Sequence, residues 1–91
     1  MIPKFIMTIR ELEYIFWNLK SMGFVSLQEY RLSEWWNNKR EAVLSVCKSE
    51  CMRCNKTKGT IVHHLTYEHL GNETLRDIVI LCKQCNKWVH E

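Results

Sequence analysis

Four cysteines fall into two C-x-x-C pairs, Cys51/Cys54 and Cys82/Cys85, with residues 55–81 between them. Two such pairs can close a tetrahedron of sulfur around a soft cation such as Zn2+. Nitrogen and oxygen donors lie close by. His63 and His64 stand side by side between the pairs, and Asn86 and His90 follow the second pair. Asn86 and His90 are one helical turn apart, so they share a face that can present a carboxamide oxygen and an imidazole to one ion. Adjacent strand residues point to opposite sides, so one histidine can serve an ion while the other meets a different atom.

The cysteine set reads as a structural zinc site. Four protein ligands fill a tetrahedral ion and leave no position for water, so such an ion holds the fold and does no chemistry. A chain of 91 residues has a marginal core, to which a metal staple adds folding energy. Disulfides or free core thiols are the alternatives. The apolar start "MIPKFIMTIRELEYIF" is interrupted by Arg10, Glu11 and Glu13, so neither an export signal nor a membrane span is expected. A reducing cytoplasm follows, where paired cysteines bind metal more often than they oxidise; Cys47 is then spare. The formal charge is +3. Four thiolates around one dication bring it to about +1, too little for charge alone to argue for a nucleic-acid partner.

Three helices are expected before the first knuckle. Thr8 and Glu11 form a capping box, and Ile9, Leu12, Phe16 and Leu19 recur at helical spacing up to a stop at Gly23. Ser26 with Glu29 caps a short turn. Ser33 caps "SEWWNNKREAVLSVCKSE", with Trp36, Val43 and Cys47 on one face and Trp35, Ala42 and Val46 on an adjoining one. Trp17, Trp35 and Trp36 are expected to pack between these helices; stacking on bases is the rival use. After Cys51 the order is a knuckle, a strand "TIVHHL", a loop "TYEHLGNETL" and a strand "DIVIL". A second knuckle then leads into a terminal helix, "CKQCNKWVHE". One domain is expected, with a helical segment over 1–50 packing on a module over 51–91.

The run "C-x-x-C … VHHLTYEHLGNETLRDIVILCKQC-x-x-x-x-H" resembles the HNH endonuclease family, whose ββα-metal core cuts DNA. The likeness spans Cys51 to His90, and the preceding "SEWWNNKREAVLSVCKSEC" resembles the helix that leads into the first knuckle of such proteins. It implies an α+β fold: a ββα-metal core stapled by a four-cysteine zinc site and preceded by helices. It also implies a small, stand-alone, phage-like member, placed in the host cytoplasm. By resemblance His63 is a ligand of a catalytic divalent ion, Mg2+ or Mn2+, and His64 is the general base. Asp77 stands where the family has its central Asn. Asn86 stands where it has its last motif His, a ligand, and His90 is a further ligand. Lys83 and Lys87 would touch DNA phosphates from the terminal helix; a solvated surface lysine is the alternative for either alone.

Two departures follow. An ionised Asp accepts hydrogen bonds but cannot donate, so Asp77 is expected to hold an imidazole N–H and raise the pKa of His64. Asn86 is a neutral oxygen ligand of the kind hard ions accept; its alternative meaning is a weakened site. His69 reads as a surface residue without a metal role, while Glu68 and Glu73 brace the loop or help the site. His90 is close to a fraying end, so the last helical turn must be held by the ion or by an inward-packed Trp88. The alternative function is a catalytically weakened, zinc-stapled DNA-binding or accessory module, for example one assisting phage DNA packaging beside a terminase.

Overall fold

A computed structural model describes residues 2–90. Helix α1 (Ile9–Met22) starts as its cap predicts, the Thr8 hydroxyl accepting from the Glu11 N–H at 3.2 Å. It stops at Gly23, whose φ of 85° a side chain would resist. The capping box is only half made. The Glu11 carboxylate accepts instead from the Thr66 hydroxyl at 2.7 Å and the Tyr67 N–H at 2.6 Å. Helix α1 is thereby tied to a distant loop. Its periodic apolar face is mostly unburied: Leu19 is in the core, whereas Leu12 and Phe16 are each about half exposed.

Helix α2 (Leu27–Arg31) is capped by Ser26 and buries Tyr30 completely. Helix α3 (Glu34–Cys47) is capped by Ser33 and ends at Cys47, three residues short of the expected end, with Lys48 after it in the left-handed region. Of the three tryptophans expected in the core, only Trp36 is there. Trp17 is 62% exposed, lying against Phe16 beneath the Lys20 ammonium. Trp35 is half exposed because its indole N–H reaches out to the Gly71 carbonyl at 2.9 Å.

Strand β1 (Ile61–His64) pairs antiparallel with β2 (Ile78–Leu81), His63 opposite Val79 and His64 opposite Ile78. Helix α4 (Lys83–Val89) follows directly, with Cys82 as its N-cap. The protein is thus α+β, with four helices and a two-stranded antiparallel sheet among the described residues. No described helix is long and apolar enough to cross a membrane.

A two-stranded sheet is marginal alone and needs a covering layer. Leu19, Tyr30 and Trp36 supply it, packing with Val62, Tyr67, Leu70 and Ile78 in one cluster. Burying side chains of this size contributes roughly 1.5–3 kcal/mol each. Residues on both sides of position 50 therefore share a core. A second cluster gathers Cys51, Leu81, Cys82, Cys85 and Val89 beneath α4.

The helices also fix the loop joining the strands. Asn18 donates to the carbonyls of Tyr67 and Glu68, both at 3.0 Å. Arg31 donates to the Tyr67 hydroxyl at 3.1 Å, and Lys39 to the Gly71 carbonyl at 3.1 Å. Gly71 adopts φ 94°, and a Cβ there would run into the Met22 sulfur. Only glycine satisfies both conditions.

Candidate functional site

The two knuckles converge. Cys51, Cys54, Cys82 and Cys85 place their sulfurs within 4.8 Å of one another. A tetrahedron of sulfurs around zinc with bonds of ~2.3 Å has sulfur–sulfur edges of about 3.8 Å, so the donor set fits an ion such as zinc. The first knuckle turns through Asn55, at φ 57°, with its N–H on the Cys51 carbonyl at 2.9 Å. The Met52 N–H bonds the Ile80 carbonyl at 2.8 Å and brings this knuckle to β2. The second knuckle is the first turn of α4, where the Cys85 N–H donates to the Cys82 sulfur at 3.4 Å.

The electrostatics agree with a cation site. Burial pushes the Cys51 thiol up, but backbone N–H groups of Cys54, Cys82 and Arg53 outweigh it and bring it to about 6. At Cys85 the Arg53 hydrogen bond lowers the value, yet burial and the other three sulfurs drive it to about 11. Four sulfurs this close cannot all be thiolates unless a cation offsets their charge.

The histidines open onto a separate cavity of about 510 Å3, whose lining includes Arg31, Arg40, His63, His64, Asn86 and His90. His63 and His90 meet edge to face, ring centroids 4.9 Å apart. The side chains of His63, Asn86 and His90 make no hydrogen bond to the described residues. Among the described residues, the one fully enclosed polar side-chain atom without a partner is elsewhere, at Ser49 Oγ. The donors of this trio are thus unpaired among the described residues, and all three residues line the cavity. Burial, followed by the charges of His90, His64 and Arg31, lowers His63 to about 4. Its ring is neutral near pH 7, as a ligand requires.

His90 is held at the end of α4. The Phe5 N–H bonds the Val89 carbonyl at 2.8 Å, and the Phe5 ring lies 6.3 Å from that of His90. The sequence leaves two ways to hold this turn, a bound ion or an inward Trp88. That ring is half-buried, with the Arg53 guanidinium 3.6 Å from its centroid. The clamp comes from the N-terminal segment, which nothing local in "MIPKFI" signals.

His64 closes β1 and reaches the same cavity as His63 despite strand alternation. Its ring is sandwiched between Trp36, at 4.7 Å, and Tyr67, stacked at 4.9 Å. Its Nε2 lies 2.7 Å from Glu73 Oε2. Nδ1 has no partner among the described residues and, not being enclosed, is open to the cavity.

Asp77 was expected to be the carboxylate at His64, and it is not. It accepts from the Thr74 N–H at 2.8 Å, from the Thr74 hydroxyl, and from His69 at 3.1 Å. Standing three residues after Thr74, it closes its own turn ahead of β2, outside the lining of the cavity. The imidazole it holds is that of His69, half exposed, which this hydrogen bond raises above the usual histidine value.

Glu73 takes the place expected of Asp77. Its side chain is 1% exposed and also accepts from Lys39 Nζ at 2.9 Å, the Gly71 N–H at 3.1 Å and the Tyr30 hydroxyl at 3.0 Å. Burial pushes its carboxyl up, but the bonds from His64 and Lys39 prevail and hold it at about 2. In the sequence Glu73 is one of several loop carboxylates, and its partners lie up to 43 positions away.

Lys83 and Lys87 are exposed on α4. With Asn86 and His90 they fall at i, i+3, i+4 and i+7, one helical face, while Cys85 and Val89 are buried on the other. Comparison with known protein families, with curated proteins and with solved structures finds no match to the chain.

Proposed function

We propose that the chain is a metal-dependent DNA endonuclease of the HNH type, with a ββα-metal core stapled by structural zinc at Cys51, Cys54, Cys82 and Cys85. The observation that carries this reading is the arrangement of the cavity. Three unbonded donors, on His63, Asn86 and His90, share it with the open nitrogen of a third imidazole, His64, that a carboxylate holds from behind.

His63, Asn86 and His90 would hold a divalent ion such as Mg2+ or Mn2+; the carboxamide oxygen is the donor such hard ions accept, whereas the two imidazoles suit softer divalent ions better. When bound, that ion supplies positive charge against a phosphate oxygen and the leaving 3′ oxygen. His64 takes a proton from water at Nδ1 as the water attacks phosphorus. Arg31 and Arg40 offer guanidinium donors to phosphate from the cavity wall. Lys83 and Lys87 extend the positive face of α4 toward neighbouring phosphates. The leaving 3′ oxygen takes a proton from solvent, so hydrolysis would leave a 5′ phosphate and a 3′ hydroxyl, as the resemblance implies.

The test is nicking of supercoiled plasmid by zinc-loaded protein with Mg2+ or Mn2+, set against EDTA. Ion-dependent nicking is expected. Its absence with both ions overturns the reading. A second reading, a DNA-binding or accessory module acting beside a larger packaging protein, draws on the exposed Ile9, Leu12, Phe16 and Trp17 of α1. Cleavage-inactive protein that co-purifies with a large terminase subunit would favour it.

A further inference from the structure

Glu73 is the most heavily engaged side chain near the cavity, yet it lies behind the histidine and not among the lining residues. Its two oxygens differ in their company. Oε1 accepts from Lys39 Nζ at 2.9 Å and from the Gly71 N–H at 3.1 Å, both groups that only donate. Oε2 faces His64 Nε2 at 2.7 Å. The Tyr30 hydroxyl lies 3.1 Å from Oε1 and 3.0 Å from Oε2. A carboxylate only accepts, so the ring nitrogen facing it must carry the proton. The lone pair of a neutral ring then sits on Nδ1, the atom open to the cavity.

We infer that Glu73 is a positioning residue: it fixes His64 as the Nε2–H tautomer and so aims the basic Nδ1 at the substrate side. The inference rests on the assignment of His64 as the base of a phosphodiester hydrolase. It also explains where the network's other members come from. Tyr30 belongs to α2 and Lys39 to α3, so the helices before the first knuckle set the proton of a group in the second half of the chain.

The geometry makes an isosteric substitution informative. In Glu73→Gln the amide oxygen must occupy the Oε1 position, because Lys39 and the Gly71 N–H can only donate. The NH2 group then faces His64 Nε2, which must accept. The ring is forced to the Nδ1–H tautomer, and the lone pair leaves the cavity without any change in shape. In a catalytic triad the corresponding carboxylate-to-amide change gives the wrong tautomer and a loss of about 10^4-fold.

The experiment pairs two measurements on zinc-loaded protein. Ring 15N NMR, recorded at a pH where the His64 ring is neutral, reads its tautomer without added manganese. Nicking of a duplex with Mn2+ reads kcat and KM. Wild type is expected to show Nε2–H and Glu73→Gln to show Nδ1–H. The variant's kcat is expected to fall at least ~100-fold with KM changed less than about threefold, since the substrate contacts are untouched. Tyr30→Phe, which removes a donor from Glu73 without touching His64, should keep the Nε2–H form.

An Nδ1–H ring in wild type overturns the inference, and that spectrum needs no variant to fold. The same tautomer in wild type and Glu73→Gln also overturns it, as does a Glu73→Gln protein that nicks at the wild-type rate. Tautomers that switch as stated in a wild-type protein unable to nick sink the hydrolase reading and uphold the orienting bond.

Discussion

The four-cysteine cluster and the histidine cavity share helix α4 and are opposite in design. Cys85 lies on the buried face of that helix, Asn86 and His90 on the other. In the cluster the donors turn toward one another: four sulfurs lie within 4.8 Å, and Cys51 is completely buried. In the cavity the donors of His63, Asn86 and His90 are unpaired among the described residues, and His64 alone has a partner behind it, Glu73. A closed four-ligand site uses its ligands up, whereas an open cavity leaves its donors free. Distance in sequence differs as well. Each knuckle is a local turn, whereas the cavity draws on α2, α3, both ends of β1 and α4.

The largest expected effect breaks the cluster. Cys82→Ser should lose bound zinc and cooperative folding over 51–90, because three thiolates leave the ion open and structural zinc supplies on the order of 10 kcal/mol to such modules. Zinc content per chain and thermal unfolding by circular dichroism check it. A variant with full zinc content and an unchanged transition would mean the cluster is not the staple.

His64→Ala should act on the cavity and spare the cluster. Cleavage should fall by roughly 10^2–10^4-fold, the usual contribution of a general base. Zinc content should stay at the wild-type level. Stability should fall by about 1–3 kcal/mol, since the ring leaves its place between Trp36 and Tyr67 and strands a buried carboxylate. Wild-type nicking by this variant would remove His64 from the chemistry.

Asn86→His sharpens the contrast between ligand types. Imidazole is also a metal ligand, so nicking should be kept or raised; complete loss would count against Asn86 as a ligand.

A smaller effect is expected in acid. The Glu73 carboxyl sits at about 2 in the folded protein against an ordinary 4.5. A folded value below the unfolded one gives stability that is present above about 4.5 and lost as pH falls toward 2. His63, lowered to about 4 from 6.5, adds a loss that begins as pH falls through 6.5. Each contribution is at most ~3 kcal/mol. The difference between wild-type and Glu73→Gln unfolding free energies should therefore shrink between about pH 4.5 and pH 2; a difference independent of pH there would show that the carboxylate is not stabilised by its donors.

The smallest effect belongs to the open rim. Replacing Lys83 or Lys87 by Ala should lower the salt dependence of DNA binding by about one counterion each and leave stability unchanged. Fluorescence anisotropy across a salt series measures it.

By itself the sequence determined what is local. Thiol spacing marked the four cysteines, Thr8, Ser26 and Ser33 marked three helix starts, and β-branched runs marked two strands. These signals act within a turn or two of chain, where backbone geometry alone sets which side chains meet. The side-by-side histidines and the Asn86/His90 turn were legible for the same reason. Tertiary structure decided the rest. It sent the Glu11 carboxylate to Thr66 and not to its own cap, left Trp17 in solvent, and used Phe5 to hold the end of α4. It gave Asp77 to His69 and Glu73 to His64. Each of those choices depends on which donors arrive from remote helices to offset the cost of burying a charge, and spacing along the chain carries no record of that.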